Sequence, residues 1–385
     1  MKRGRVDFTL SIILVLMLIS GMVIVFSASS IMAESRYGSL TYFFVKQMIW
    51  GVISLAMMIA ASRFNYQLLK KPPFPFILII AAYVLLAGLF FFGTKINGAI
   101  RWYKIGPFSF QPSEYAKWAL IVYFSYYLAS PNKNIRNLKT HLMPLISILG
   151  GIVVLIMLQP DLSTSIMLVL ICVSLLFIGG ARKRHIAGMS LMTAPAVTLM
   201  MNYQFHRIES WWRAIKDPLA ADYQLRQSLI GLGRGGWFGN GLGQSKQKFF
   251  FLPDSHTDFV FSIFGEEAGF IGTTIVLLLF LVILYRGIII SKKCPDNFGK
   301  FLAAGITFSI VYYGFINAAV VSMVVPTTGL PMPFISYGGS NLLFLGISAG
   351  LLLGISRSAD SAGRANWGSY KERQTEMSTT YITAD

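Results

Sequence analysis

Long uncharged apolar runs, separated by short polar segments, recur along the 385-residue chain. A helix needs about 20 residues to cross the hydrocarbon core of a bilayer, which is about 30 Å thick. The runs are continuous, without the alternation of a membrane β-barrel. They predict an all-α, polytopic membrane protein with about ten transmembrane helices: Phe8 to Ala28, Phe43 to Ser62, Phe74 to Gly93, Tyr115 to Ala129, Leu142 to Leu158, Leu162 to Gly180, Ile186 to Met201, Ala268 to Tyr285, Phe301 to Val325 and Ile335 to Ser356.

The distribution of basic residues predicts how the chain is oriented. With the N-terminus in the cytoplasm, the cytoplasmic segments hold twenty of the 33 Lys and Arg residues, as the positive-inside rule requires. Both termini are therefore expected in the cytoplasm, the C-terminal one as a disordered tail, residues 357–385. Orientation and anionic lipid headgroups explain the net charge of +17, so no nucleic-acid partner is expected. Cys172 and Cys294 are placed too far apart to form a disulfide or a metal site.

One predicted extracytoplasmic loop, residues 202–258, is much longer than the others. Loops of this length are usually functional or disordered, and the many aromatic residues argue against disorder. Residues 203–219 suit a short interfacial helix with an aromatic face. Seven glycines follow between Gly231 and Gly243. They could let backbone amides approach an anionic ligand, or they could simply form a flexible turn.

Positive charge is unusually abundant in two of the predicted external loops. Between Asn202 and Pro253 there are seven basic residues against three acidic residues. The loop from Gly93 to Glu114 adds Lys95, Arg101 and Lys104. If these loops meet in the fold, they favour an anionic ligand such as a lipid-linked phosphate.

Ionisable residues at membrane depth are candidates for function because burying a charge in lipid is costly. Glu114 and Lys117 are three residues apart, so they share one helix face. They could serve the reaction or form a buried ion pair that locks helix packing. Asp161 is expected to cap the following helix, with a position facing a cavity as the alternative.

The strongest candidate for catalysis is Asp258, in the segment LPDSHTDFVFSIFGEE, where a polar run turns into a helix. A carboxylate in the first helical turn is stabilised by the helix dipole. Asp254 and His256 are close in sequence, and Glu266 and Glu267 follow two turns deeper. Simple N-terminal capping would explain Asp258 but not the two glutamates. No nucleophile elbow, Walker loop, HExxH or paired-cysteine motif is present, which weakens acyl transfer, nucleotide hydrolysis and zinc chemistry.

Five motifs in order resemble those of the SEDS family, the peptidoglycan polymerases of the FtsW and RodA type. They are FSASS (26–30), RWYKIGPFSFQPSEYAK (101–117), QPDLSTS (159–165), the segment from GLGRGG to GFIG (231–272) and GLPMPFISYGGS (329–340). The segment GQSKQK (243–248) resembles the cell-division branch, FtsW, more than the elongation branch, RodA.

The resemblance implies an inverting glycosyltransferase of the bacterial cytoplasmic membrane. It would polymerise lipid II, an undecaprenyl-pyrophosphate-linked disaccharide pentapeptide, into β-1,4 glycan strands at the outer face during septal wall synthesis. Asp258 matches the family's essential aspartate and would act as the general base. The further substrate-binding candidates are Arg101, Trp102, Glu114, Lys117, Asp161, Lys246, Lys248 and His256. A divalent cation, Mg²⁺ or Mn²⁺, could neutralise the leaving pyrophosphate. The implied partners are a class B penicillin-binding protein, which is a transpeptidase, and other division proteins.

Three alternatives remain at this point: an elongation-type polymerase of the same family, a lipid II flippase, and a scaffold that only recruits a partner. A transporter should carry its site near the membrane midplane, often between inverted repeats, whereas the unusual residues of this chain concentrate at one face. A scaffold would leave the charged HTDFVF segment unexplained.

Overall fold

The computed structural model describes residues 4–96, 99–106, 108–131, 133, 135–185, 207–217, 221–253 and 255–382. The nine predicted spans that fall on these residues are helical, and the predicted span Ile186 to Met201 lies outside them. In chain order the helices are α1 (Phe8–Tyr37), α2 (Tyr42–Arg63), α3 (Phe74–Phe92), α4 (Pro112–Ala129), α5 (Met143–Met157), α6 (Leu162–Ile178), α7 (207–216), α8 (Tyr223–Gly235), α9 (Val260–Lys293), α10 (Asn297–Val321) and α11 (Gly339–Ile382).

Seven helices of the described residues are long and apolar enough to cross a membrane, and α6 is a shorter apolar helix. The helix α4 has 18 residues, but Glu114 and Lys117 lie in its first two turns and lower its hydropathy. Because both charged side chains are buried among other helices, α4 needs no contact with lipid at that point. Both cysteines are free, as predicted.

The helices pack around two apolar clusters. The larger cluster is formed mainly by α1, α9, α10 and α11, and the second mainly by α3, α4, α5 and α6. The helix α10 joins the two halves, since it packs against α9 on one side and against α4 and α6 on the other. At one end of the bundle the start of α1 meets the middle of α11, where the amide of Asp7 donates to Ser356 Oγ at 3.0 Å. The opposite end carries the large loop.

The predicted loop from Gly93 to Glu114 contains a small antiparallel sheet that the sequence analysis missed. Its strands are β1 (Thr94–Ile96), β2 (Ala99–Ile105) and β3 (Phe108–Phe110), in the order β1-β2-β3. The Tyr103 hydroxyl donates to the Leu85 carbonyl in α3 at 2.8 Å, and Ser340 Oγ in α11 donates to the Ser109 carbonyl at 2.9 Å. These contacts fix the sheet over one end of an otherwise all-α molecule.

The glycine cluster is not one flexible turn, because its first part is helical and its second part is a tight loop. Its first part continues α8, a helix that the glycine content did not predict because glycine disfavours helix interiors. A Cβ added at Gly235 would lie 2.0 Å from the Gly265 carbonyl oxygen in α9, so glycine permits close contact between the two helices. The next residues leave the helix, and Gly236 and Gly239 adopt positive φ angles of 50° and 80°.

This second part of the cluster joins an interrupted helix. The helix α9 is broken at Gly269, where φ is 67° and ψ is −168°. The amides of Phe270 and Ile271 therefore donate to the carbonyls of Gly236 and Trp237, at 2.8 and 3.1 Å. In the other direction, the amides of Asn240 and Gly241 donate to the carbonyls of Glu266 and Glu267, both at 3.0 Å. These four hydrogen bonds satisfy backbone groups that the break in α9 would otherwise leave without partners in the membrane.

Two expectations about the loop and the C-terminus have different outcomes. An interfacial helix was predicted at 203–219, and the described part of that segment forms α7. The tail from Arg357 was predicted to be disordered, but α11 continues to Ile382. Extending an existing helix requires no new nucleus, so polar residues can prolong the last span.

Candidate active site

A cavity of about 800 Å³ opens at the end of the bundle that carries the sheet and the large loop. It lies between the starts of α4, α6 and α11, the sheet, and the segments that precede α8 and α9. Five of the predicted site residues line it: Arg101, Trp102, Glu114, Asp161 and Asp258. These residues are up to 157 positions apart in the sequence, so the fold has gathered them into one site.

Asp258 lies just outside the helix that follows it. The N-cap of α9 is Phe259, so Asp258 precedes the cap and is not in the first turn, as the sequence analysis had placed it. Two hydrogen bonds to main-chain carbonyls hold the residues that immediately precede it. Ser336 Oγ donates to the Thr257 carbonyl at 2.6 Å, and the Tyr337 amide donates to the His256 carbonyl at 3.0 Å. The polypeptide that carries the carboxylate is thus attached to the loop before α11.

Asn317 in α10 completes this attachment, and sequence reasoning did not identify it. Its side-chain amide nitrogen donates to the carbonyl of Asp258 at 2.8 Å and to the carbonyl of Leu330 at 2.7 Å. The side chain is 1% exposed. A single amide inside an apolar span was the available signal, because polar residues at membrane depth are usually functional.

Gly329 brings the loop before α11 against the candidate base. Its φ angle is 71°, in the left-handed region that glycine adopts readily. A Cβ at this position would lie 3.2 Å from Asp258 Oδ2. Only a residue without a side chain leaves the space beside the carboxylate unfilled.

Glu114 and Lys117 form a buried ion pair at the wall of the cavity. Lys117 Nζ lies 2.6 Å from Glu114 Oε2, and the residues are 6% and 3% exposed. The ammonium group also lies 4.0 Å from the centre of the Tyr313 ring, which provides a cation–π contact. Glu114 lines the cavity and Lys117 lies behind it. The pair therefore fits both interpretations of the sequence. It fixes the packing of α4 against α10, and it presents one carboxylate to the cavity.

Asp161 is the N-cap of α6, as predicted, and it also lines the cavity. Its carboxylate accepts hydrogen bonds from Thr164 N at 3.3 Å and Thr164 Oγ1 at 2.9 Å. Arg101 lies beside this corner. Its Nε donates to the Gln159 carbonyl at 3.2 Å, and a terminal nitrogen donates to the Pro160 carbonyl. A guanidinium has five N–H donors, so these two bonds leave donors for a ligand.

Basic side chains from three distant segments reach the cavity. Arg101 belongs to β2, Arg207 to α7 and Lys46 to α2. The assumption that the two basic loops meet is therefore confirmed, because Arg101 and Arg207 line the same space. Lys46 was not among the predicted site residues because it is an isolated charge in an apolar run, and Arg207 and Asp222 were counted only as part of the charge of the large loop. Together with Glu114, Asp161 and Asp258, the site presents both signs of charge.

Lys246 and Lys248, also predicted to bind substrate, do not line this cavity. Lys246 is exposed. Lys248 is buried, where its Nζ donates to the Gly243 carbonyl at 2.5 Å and lies 3.6 Å from Glu267 Oε1. The same Glu267 oxygen accepts from Ser27 Oγ at 2.6 Å. Lys248 thus belongs to a polar cluster that joins the large loop to α1 and α9.

The neighbouring glutamate belongs to that cluster too. Glu266 Oε2 accepts from Ser245 Oγ at 2.5 Å and from the Gln247 amide at 3.2 Å. The two glutamates that suggested chemistry beyond helix capping are thus bound to the 245–248 segment. Their partners lie about 20 residues away in the sequence, so spacing within α9 could not identify them.

His256 is two residues from Asp258 but packs away from the cavity lining. Its ring lies 4.6 Å from the ring centre of Phe43 and 5.6 Å from that of Tyr337. Burial, and secondarily the positive charge of Arg36, lowers the pKa of His256 to about 4. The imidazole is therefore neutral near pH 7 and serves as a packing group beneath the Asp258 segment.

A divalent cation was expected as a possible cofactor. Among the described residues, no group of three or more His, Cys, Asp and Glu side chains is placed to hold a metal ion. These residues do not form a dedicated metal cage. A cation would have to be held mainly by phosphate oxygens and one or two carboxylates, as is common for Mg²⁺.

Comparisons with known proteins agree with one another over nearly the whole chain. The family model described as cell cycle protein, of the FtsW, RodA and SpoVE type, matches residues 8–361. Stage V sporulation protein E of Bacillus subtilis (strain 168) is 37% identical over 362 residues, which cover 92% of this chain and 98% of the relative. A probable peptidoglycan glycosyltransferase FtsW of Trichlorobacter lovleyi is 36% identical over 361 residues, which cover 92% and 94%.

Solved structures show the same fold at lower sequence identity. The rod shape determining protein RodA of Thermus thermophilus superposes with a TM-score of 0.69 at 24% identity, covering 92% of this chain and 97% of that chain. A chain from a structure described as "Structural coordination of polymerization and crosslinking by a peptidoglycan synthase complex" gives a TM-score of 0.74 at 24% identity, covering 92% and 98%.

Proposed function

The chain belongs to the FtsW, RodA and SpoVE family of cell cycle proteins and is a peptidoglycan glycosyltransferase, and we propose that Asp258 is its general base in polymerising lipid II. The observation that carries this assignment is the position of Asp258. It lies in a cavity with further carboxylates and basic groups, on a segment bonded to α10 and to the loop before α11.

The reaction needs one base. The 4-hydroxyl of a GlcNAc residue attacks the anomeric carbon of a MurNAc residue, whose bond to the lipid pyrophosphate breaks. Asp258 accepts the hydroxyl proton, and attack from the face opposite the leaving group converts the α-linkage into a β-1,4 bond. A single base suffices for this inversion, whereas inverting glycosidases also need an acid to protonate a poor leaving group.

The departing pyrophosphate carries negative charge that the site can stabilise. Arg101, Arg207 and Lys46 all line the cavity, and Arg101 is held in place by its two main-chain hydrogen bonds. Fixed cations in a site that excludes water stabilise a developing anion more strongly than solvent does. The same groups would bind the pyrophosphate of the incoming lipid II.

The cavity size supports a sugar substrate whose lipid stays in the membrane. A volume of about 800 Å³ lies within the usual range for small-molecule sites, about 300–1,000 Å³. The disaccharide and pyrophosphate would occupy the cavity, while the polyprenyl chain extends into the bilayer. Trp102 and Trp50, which both line the cavity, offer aromatic faces to sugar rings.

The distribution of basic residues supports a cavity that faces away from the cytoplasm in a bacterial cytoplasmic membrane, with both termini inside. The GQSKQK segment supports a role in cell division over one in elongation. A class B penicillin-binding protein, which would crosslink the new strands, is the proposed partner. A relative of the same fold comes from a complex that couples polymerisation with crosslinking.

A lipid II flippase is the main alternative, but the geometry favours it less. Every residue that lines the cavity belongs to one end of the bundle, whereas transporter sites lie near the membrane midplane.

The decisive experiment uses purified protein in lipid with its transpeptidase partner and lipid II, and compares wild type with Asp258→Asn. This substitution keeps the size of the side chain and removes the base. We expect glycan strands from wild type and a loss of at least about 100-fold in the variant, since general base catalysis contributes about 10²–10⁴-fold.

The matched control is Asp217→Asn, which changes an exposed carboxylate of the same loop that does not line the cavity. It should polymerise lipid II at the wild-type rate. Unchanged polymerisation by folded Asp258→Asn would contradict the assignment of the base. Movement of lipid II across the bilayer without polymer formation would favour the flippase.

A further inference from the structure

A second cavity, of about 650 Å³, lies at the end of the bundle opposite the active site. It is formed by the loop between α4 and α5 and by the segment that follows α6. Basic groups dominate its lining, and no carboxylate of the described residues contributes to it. Its lining includes Arg136, Leu138, Lys139, Arg182, Arg184 and His185.

The fold holds the two basic segments together. Ile135 and Ala181 immediately precede the arginines at 136 and 182, and both are buried in the same apolar cluster, at 6% and 8% exposure. A Cβ at Gly179 would lie 2.8 Å from a methyl group of Leu128, so the ends of α6 and α4 are in close contact. The His185 amide donates to the Arg182 carbonyl at 2.8 Å and forms a turn.

The orientation of the chain in the membrane does not by itself account for this arrangement of basic residues. The positive-inside rule explains why each loop is basic, but it does not require basic side chains from two loops to share one concave surface. Like charges repel when they are brought together, and the described lining contributes no carboxylate beside Lys139, Arg182 and Arg184, so a bound anion would stabilise their arrangement.

We propose that this cavity binds the phosphate of an anionic phospholipid headgroup. It lies where α4 and α6 end, which is the level of the membrane surface. Basic pockets between transmembrane helices are suited to acidic lipid headgroups. Leu138, an exposed apolar side chain in the same lining, gives the glycerol and acyl part of a lipid a contact that a free phosphate would not use.

The test measures binding of phosphatidylglycerol to the full chain by native mass spectrometry, from micelles that contain equal amounts of phosphatidylglycerol and phosphatidylcholine. Wild type should retain phosphatidylglycerol preferentially. The affinity should fall about fivefold in Lys139→Gln and by more than about tenfold in Arg182→Gln/Arg184→Gln, because each basic residue contributes to binding at the surface.

Two controls remove the same charge at the same end of the bundle without changing the lining. Lys183→Gln matches Lys139→Gln, and Lys292→Gln/Lys293→Gln matches the double arginine variant; all three lysines are exposed. Both controls should keep the wild-type affinity within about twofold. If the double arginine variant does not fold, Lys139→Gln and its control carry the test alone.

Equal losses in the variants and their controls would overturn the proposal, because they would indicate general surface charge. Inorganic pyrophosphate that bound the wild-type protein as tightly as phosphatidylglycerol, with the same sensitivity to Lys139→Gln, would overturn the lipid assignment in favour of a soluble anion.

Discussion

The side-chain amide of Asn317 donates a hydrogen bond to the main-chain carbonyl of Asp258 at 2.8 Å. The same nitrogen bonds the Leu330 carbonyl at 2.7 Å, so one buried group in α10 holds the segment before α9 and the loop before α11. A general base must reach the proton that it removes, and a misplacement of about 1 Å can cost about 100-fold in rate. We therefore expect Asn317 to be a positioning residue for the proposed base.

Asn317→Asp should lower the kcat for polymerisation by about 10–100-fold, with a much smaller change in the KM for lipid II. The substitution replaces the donor with an oxygen that faces two carbonyls, and leaving buried acceptors without a donor costs about 1–3 kcal/mol. The measurement is the initial rate of glycan-strand formation over a range of lipid II concentrations. Ser322→Ala, which removes a hydroxyl that bonds within the end of the same helix, should keep the wild-type kcat. A folded Asn317→Asp protein with normal kcat would disprove the positioning role.

Gly329→Ala should reduce kcat/KM by about tenfold or more. Alanine in the left-handed region costs about 1–2 kcal/mol, and its methyl group would lie 3.2 Å from Asp258 Oδ2. Gly338→Ala is the matched control, because Gly338 also lines the cavity but an added Cβ would make only an ordinary contact, 3.5 Å from the Asn341 Cβ. Similar losses of kcat/KM in both variants would mean that an added methyl group anywhere in the lining impairs the reaction, and that the space beside Asp258 has no special role.

Continuous hydropathy made the membrane helices predictable, because the bilayer imposes a minimum length on each span. Charge at membrane depth and the family motifs identified Glu114, Asp161 and Asp258, all of which line the cavity. These features are local in sequence. The three-stranded sheet was not predictable in the same way, because two of its strands have only three residues and depend on contacts with α3 and α11.

Residues whose role depends on distant partners were also missed or misassigned. Helix capping did not explain Glu266 and Glu267, and their partners are Ser245, Gln247 and Ser27. Neither Lys46 nor Arg207 belongs to a recognisable motif, and only the packing of helix ends brings them to the cavity. Pairing between segments, which spacing cannot reveal, decides these roles.

Lys248→Met should destabilise the protein more than it impairs substrate binding. The substitution removes the ammonium group that lies 3.6 Å from Glu267 Oε1, and removing one partner of a buried ion pair costs about 3–5 kcal/mol. We expect a lower midpoint of thermal unfolding in detergent and little change in the KM for lipid II in the protein that remains folded.

Lys246→Met provides the comparison, because this lysine is two residues away and exposed. Its unfolding midpoint should equal that of wild type. The double variant Lys248→Met/Glu267→Gln should lose less stability than the sum of the single variants, since the two side chains interact directly. A raised KM in Lys248→Met with an unchanged midpoint would instead support substrate binding by this residue.

His256 should make the protein less stable in mild acid without entering the reaction. Burial, with a smaller effect of Arg36, lowers the folded-state pKa from 6.5 to about 4. As the pH falls through 6.5, the unfolded chain takes up a proton that the folded protein does not bind until about pH 4. Stability is therefore lost between pH 6.5 and 4, by up to about 3 kcal/mol at about 1.4 kcal/mol for each unit of pKa difference.

The measurement is the midpoint of thermal unfolding between pH 7.5 and 4.5 for wild type and His256→Gln. The variant should lose most of the dependence on pH in this window, because glutamine does not titrate. His141→Gln, at the opposite end of the bundle, should retain it. The pH profile of kcat should have the same shape in wild type and His256→Gln, since the imidazole packs between Phe43 and Tyr337 and does not line the cavity. A profile that shifts in the variant would place His256 in the proton transfer and contradict its role as a packing group.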